Sequence, residues 1–281
     1  MIGAVVIDMG PAGEPLYPPA WTQWTNEDVP WYNADGYAEE VMWCYAENAQ
    51  ADFRVQMQKK YGTIREANSA WGKEYAGFAE LTVPKPGQVR GRMWEDVLVW
   101  YRDSKRIFMD KQVKLYKELL AEYGFGDRYP ILYLPGGDFS EEEWNSCIES
   151  GTATPGVKLA CDNNYTVGLA AKYNCLLQYT GITGLENLQL VRRFMYENGY
   201  GSIPVFGENA GDKVAADDVY LLRDIIFDHK LYGIDYTHCH WLYEVDHKTP
   251  GKRFEPFRQV VSEISEYLAA LDLDVAPDRY R

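Results

Sequence analysis

The sequence predicts a parallel α/β fold, on three observations. Short apolar runs bounded by glycine, proline or aspartate recur at residues 3–9, 129–134, 173–179, 203–206 and 233–242. Segments with helical periodicity separate the later runs, and parallel strands need such crossovers. The 281 residues are 46% hydrophobic and 25% charged, which suits a packed chain and excludes a disordered or collagen-like one. No linker, repeat or low-complexity tract interrupts them, so residues 1–281 read as a single domain. Five strands permit an open doubly wound sheet or part of a barrel.

The elements follow in order. Gly3–Met9 is an apolar run closed by Gly10-Pro11, hence a buried strand. Residues 10–34 form a Pro/Trp-rich loop. Asp35 can cap a helix from Gly36 to Lys60. Thr63-Ile64-Arg65-Glu66 is a capping box opening a short helix that ends at Trp71-Gly72. Residues 76–92 are loop. A long helix from Trp94 to Tyr123 is closed by Gly124. Strand Tyr129–Leu134 ends in Pro-Gly-Gly-Asp. Glu141–Glu149 is helical, with an acidic first turn that the helix dipole favours. Val157–Ala160 reads as a short extended piece and Thr166–Lys172 as a helical turn. Strand Tyr173–Tyr179, helix Leu185–Glu197, strand Ile203–Phe206 and helix Ala215–His229 come next. Strand Gly233–Leu242 and helix Pro256–Leu271 complete the chain.

Charge and motifs exclude several functions. Net charge is -14 and no basic cluster is present, so nucleic acid and anionic membrane are not expected partners. No apolar run approaches the roughly eighteen residues of a spanning helix. Cysteines 44, 147, 161, 175 and 239 form no CxxC pair. They fit reduced thiols, and residues 1–8 lack secretory-signal features, so a cytoplasmic location is expected. GxSxG, P-loop and dinucleotide motifs are missing, and no cofactor is expected. His238 and His240 share a strand face without a third ligand nearby, and no metal is expected.

In parallel β/α folds the working residues sit at the carboxyl ends of strands. Two of the five ends carry a glutamate preceded by glycine, Gly13-Glu14 and Gly207-Glu208. Glycosidic cleavage needs such a pair. One carboxyl gives a proton to the leaving oxygen, and the other attacks the anomeric carbon or activates water. An aromatic share of 15% supplies flat faces for sugar rings, with Tyr17, Trp21, Trp24, Trp43 and Trp241 as candidates. Asp138, Asn163, Tyr179, Thr180, Asn209 and His240 complete the expected substrate contacts, and a carbohydrate is the expected partner.

Gly10-Pro11-Ala12-Gly13-Glu14, followed by Tyr17-Pro18, closely resembles the catalytic-acid motif of β-amylases. In that family the motif closes strand four of a (β/α)8 barrel, and its Glu is the general acid. Gly207-Glu208-Asn209-Ala210 resembles a second β-amylase motif at a later strand end. Tyr61-Gly62-Thr63-Ile64, with Asn68 and Ala70-Trp71-Gly72, resembles instead the family 42 β-galactosidases. There it follows the acid/base Glu, and a Glu closing strand seven is the nucleophile. The resemblance implies a (β/α)8 TIM barrel type of which only the C-terminal five β/α units, strands four to eight, are encoded. It implies Glu14 as acid/base and Glu208 as nucleophile of a retaining hydrolase of β-galactosides or related oligosaccharides. An α-1,4-glucan hydrolase of β-amylase type and a non-catalytic carbohydrate-binding barrel or fragment are the alternatives. Five strands of a barrel leave edges open, so a homo-oligomer or a partner chain completing the barrel is expected.

Overall fold

Five strands lie side by side in the order in which the chain makes them, all parallel. They are β1 (Ala4–Val6), β2 (Tyr129–Leu134), β3 (Leu176–Tyr179), β4 (Val205–Glu208) and β5 (Gly233–Asp235). The computed structural model describes residues 4–10, 14–17, 42–135, 139–180, 185–208, 219–235, 242–244, 246, 248–273 and 277. A doubly wound sheet reverses direction at a switch point. Here the order never reverses, which is the winding of a barrel wall.

The chain divides into two compact units. One comprises Met1–Pro15, Asp110–Gly137 and Asp162–Arg281 and holds the sheet. The other comprises Leu16–Met109 and Asp138–Cys161 and is helical.

Register gives the sheet two distinct faces. Leu132 pairs with Leu177 and Leu134 with Tyr179, while Leu177 pairs with Val205. These five side chains share one face, and each is fully buried. On the other face Tyr133, Gln178 and Phe206 lie in register. Pleating puts successive residues on opposite faces, so the polar Gln178 between Leu177 and Tyr179 is not a break in the core. It belongs to the second face.

In the sheet unit, α6 (Asn163–Tyr173), α7 (Leu185–Glu197), α8 (Val219–Asp228) and α9 (Phe254–Ala270) follow the strands. Helix α7 buries Leu188, Val191 and Met195 at helical spacing, and α8 buries Val219, Leu222 and Ile226. Buried Arg192 on α7 donates to the carbonyls of His229 (3.0 Å) and Lys230 (3.3 Å), satisfying the end of α8.

The helical unit contains α1 (Glu47–Tyr61), α2 (Ile64–Trp71), the first part of α3 (Arg92–Glu122), α4 (Glu141–Ser150) and α5 (Pro155–Leu159). Its core joins Phe53, Met57, Trp71, Trp94, Trp100 and Tyr101. The Thr63 hydroxyl accepts the Glu66 N–H at 3.3 Å, as the capping box requires. Ser140 does the same for Glu143 at 3.0 Å, beneath the acidic turn of α4.

Several sequence expectations need correction. Residues 155–159 are one helical turn, not an extended piece, with Pro155 in its first turn and left-handed Ala160 closing it. The helical turn expected at Thr166–Lys172 is the longer α6, capped by Asp162 through the Tyr165 N–H. The helix expected from Gly36 begins, among the described residues, at Glu47 behind Ala46, whose side chain caps nothing.

Candidate active site

The two strand-end glutamates are both held from β3. The Glu14 carboxylate accepts a hydrogen bond from the Thr180 hydroxyl. That hydroxyl also lies 3.3 Å from the carbonyl of Leu134. The Thr180 N–H donates to the same carbonyl at 3.0 Å, carrying the β2–β3 ladder one residue beyond β3. Thr180 is thus fixed by the sheet. Glu208 is the last residue of β4, in register with Asp235 of β5. Its Oε2 accepts from Nε2 of Gln178 at 3.0 Å, and Gln178 is buried.

Gln178 and Thr180 are two apart along one extended segment. Their side chains therefore leave the same face, roughly 7 Å apart along the strand. Each holds one carboxylate, so Glu14 and Glu208, 194 residues apart in sequence, meet the carboxyl end of the sheet on a common face. All four residues lie in the sheet unit.

Burial raises the pKa of the Glu14 carboxyl above its ordinary value, because a charged carboxylate is poorly solvated there. The Thr180 hydroxyl acts in the opposite direction by donating to the ionised form, and it is the lesser influence. A raised pKa favours the protonated form that a proton donor needs.

The remaining expected site residues are distributed differently. Tyr179 lies between Gln178 and Thr180, so its fully buried ring points to the opposite, apolar face. Asn163, with no exposed surface, donates from Nδ2 to the carbonyl of Pro135 at 3.0 Å and fastens the end of β2. Tyr17 belongs to the helical unit. There its ring stacks on Tyr101 at 4.6 Å, its N–H donates to Leu159, and burial pushes its hydroxyl up to about 12. Trp43 is half exposed in that unit, its N–H donating to the Tyr101 hydroxyl at 3.2 Å. Trp21, Trp24, Asp138, Asn209, His240 and Trp241 lie outside the described residues.

Gln178 was missed by sequence reasoning. A search for acids passes over an amide, yet its position two residues before Thr180 on a strand end was a usable signal. Among the described residues no three metal-ligating side chains cluster, and Cys44, Cys147 and Cys175 are free and buried.

Most of the motif at residues 61–72 has a structural explanation. Asp96 on α3 has a fully buried carboxylate that accepts from Lys60 (2.6 Å), the Tyr61 hydroxyl and the Trp71 indole (2.8 Å). Asn68 exchanges hydrogen bonds with the backbone of Tyr75 at 2.8 and 3.0 Å. Gly62 and Gly72 both take positive φ to end their helices.

Comparison with known proteins gives three results. The sequence model of the Glyco_hydro_42 family, β-galactosidase, matches residues 28–124, about a third of the chain and a stretch containing neither glutamate. The thermophilic β-amylase of Thermoanaerobacterium thermosulfurigenes is 31% identical over 109 residues, which is 36% of this chain and 18% of that enzyme. A β-amylase of Bacillus cereus is 29% identical over 125 residues, 42% of this chain and 21% of that enzyme. These matches thus span about a fifth of the amylases' own length. Among solved structures, the catalytic domain of β-amylase from Paenibacillus polymyxa superposes with a TM-score of 0.68 at 18% identity. That superposition covers 94% of this chain and 63% of that domain. The chain therefore has the parallel α/β fold of a β-amylase catalytic domain.

Proposed function

We propose that this chain hydrolyses O-glycosidic bonds, with Glu14 as the proton-donating carboxyl and Glu208 as its ionised partner. The observation that carries the reading is the tethering of both carboxylates to one face of β3, through Thr180 and Gln178. Glu14 delivers its proton to the glycosidic oxygen as the bond to the anomeric carbon breaks. Glu208 either attacks that carbon, forming a covalent glycosyl intermediate, or takes a proton from the water that does. The first course retains anomeric configuration and the second inverts it.

The substrate class divides along the comparisons. A β-galactoside or related oligosaccharide is supported by the β-galactosidase match at residues 28–124. An α-1,4-glucan is supported by the amylase relatives and by a structural likeness that covers 94% of the chain. Incubation with a β-galactoside and with a maltooligosaccharide, following the released anomer by proton NMR, separates the two. Glu14→Gln and Glu208→Gln should each lower turnover by roughly 10²–10⁴-fold. Full activity in either variant contradicts the assignment, and sugar binding without turnover in the unmodified chain replaces it with a carbohydrate-binding role.

Two further proposals attach to this reading. The chain associates with a second copy or a partner chain, because β1 and β5 are edges of the described sheet. It resides in the cytoplasm, a reading supported by the buried free thiols of Cys44, Cys147 and Cys175. No helix among the described residues is long and apolar enough to cross a membrane.

A further inference from the structure

At the end of the sheet opposite Glu14 and Glu208, a trough of about 490 Å³ opens across the starts of four strands. Its lining includes Tyr129, the first residue of β2, and Leu176, the first of β3. Ser202 and Pro204 line it before β4, and Tyr232 before β5. Neighbouring strands are about 4.8 Å apart, so three intervals place Tyr129 and Tyr232 roughly 14 Å from one another across the trough.

The chemistry of the lining is uniform. The chain is 25% charged and carries a net charge of -14. Among the described residues ten line this trough, so two or three of them should be charged, and none of those ten is. Tyr129 is 43% and Tyr232 42% exposed, although large aromatic rings lose free energy by facing water. Both rings are mounted on fixed backbone. Tyr129 registers against Ala4 of β1, and the Tyr232 N–H donates to Val205 at 2.7 Å while its ring meets Phe206 edge-on at 5.5 Å. Between the rings lie an amide and a hydroxyl, from exposed Asn174 and Ser202. The left-handed backbone of Asn174 closes α6 through its own N–H, leaving that amide side chain uninvolved in the cap.

Flat faces at both ends, neutral hydrogen-bonding groups between them and no charge define the ligand. An anion or a cation finds no counter-charge, and a wholly apolar molecule leaves the amide and hydroxyl without use. We propose that this trough binds a neutral oligosaccharide, as a second sugar site separate from the carboxylate pair. Tyr129 and Tyr232 stack on sugar faces, and Asn174 and Ser202 hydrogen-bond ring hydroxyls. Because the rings are pre-positioned, little side-chain entropy is lost on binding.

The test is calorimetric titration of the Glu14→Gln protein, which prevents turnover, with maltoheptaose and with a β-linked galactooligosaccharide. Replacing both Tyr129 and Tyr232 by Ala should abolish one class of binding site, or weaken it by about tenfold or more. Replacing both by Phe keeps the flat faces and should preserve it. Unchanged binding of both sugars by the double Ala variant, with an unchanged melting curve, overturns the proposal. A lower molecular mass in that variant without loss of sugar binding also overturns it, and shows that the trough is filled by another copy of the chain. If a single class of site is seen and the Ala variant removes it, the trough proposal stands while the carboxylate-pair reading fails.

Discussion

Thr180 is the residue on which the proposed chemistry turns. It fixes Glu14 by a hydroxyl donor and is itself fixed by the β2–β3 ladder. A hydrogen bond to a charged group contributes about 1.5–3 kcal/mol, and 1.36 kcal/mol corresponds to one pH unit. The donor favours ionised Glu14, so its removal raises the carboxyl's pKa further. Thr180→Val should therefore move the alkaline limb of kcat/KM upward by about one to two pH units, since the protonated acid then survives to higher pH. A pH–rate profile checks this, and a limb that stays in place or moves down contradicts the role given to Thr180. Sequence could single out Glu14 and Glu208 because each follows a glycine near an expected strand end. Gln178 was harder to find, because its place two residues before Thr180 puts it on the same strand face but does not show that a carboxylate from the next strand rests on it.

At the scale of elements, turns and caps were the readable part. Thr63 and Gly72 begin and end a helix as expected, and Ser140 and Gly151, which the sequence reading did not single out, do the same for α4. Gly151 is the sharpest case. Its φ is +76°, and a Cβ there would stand 2.2 Å from the carbonyl oxygen of Val89. Gly151→Ala should cost about 2–4 kcal/mol from left-handed strain and overpacking together. Urea unfolding measures it, and a midpoint equal to that of the parent protein contradicts the close approach. The elements misread were those that local pattern underdetermines. Pro155–Leu159 is a single turn containing a β-branched valine, so propensity pointed to an extended piece. The motif at residues 61–72 resembles a glycosidase signature, yet its tyrosine and tryptophan serve the buried carboxylate of Asp96. Burial of a paired carboxylate depends on tertiary contacts that no spacing rule reveals.

For the whole molecule, the parallel strands were legible from apolar runs, and the direction of winding was not. The apolar runs alone left an open doubly wound sheet and part of a barrel both available; the resemblance to β-amylases implied the barrel, and the unreversed order β1 to β5 agrees with it. The long stretch between β1 and β2 holds most of the helical unit. The edges of the described sheet at β1 and β5 are what support the proposed association. Light scattering on the purified chain should give a mass above that of one 32.3 kDa chain, and a monomer at micromolar concentration contradicts it.

The pairing of Glu14 with Glu208 is tested most directly by changing the leaving group. A glycosyl fluoride of the hydrolysed anomer needs little proton donation, whereas the natural glycoside needs a full proton. Glu14→Gln should lose roughly 10²–10⁴-fold on the natural glycoside and retain most activity on the fluoride, while Glu208→Gln should lose activity on both. Equal losses on the two substrates for Glu14→Gln, or an active Glu208→Gln enzyme, would contradict the roles assigned here.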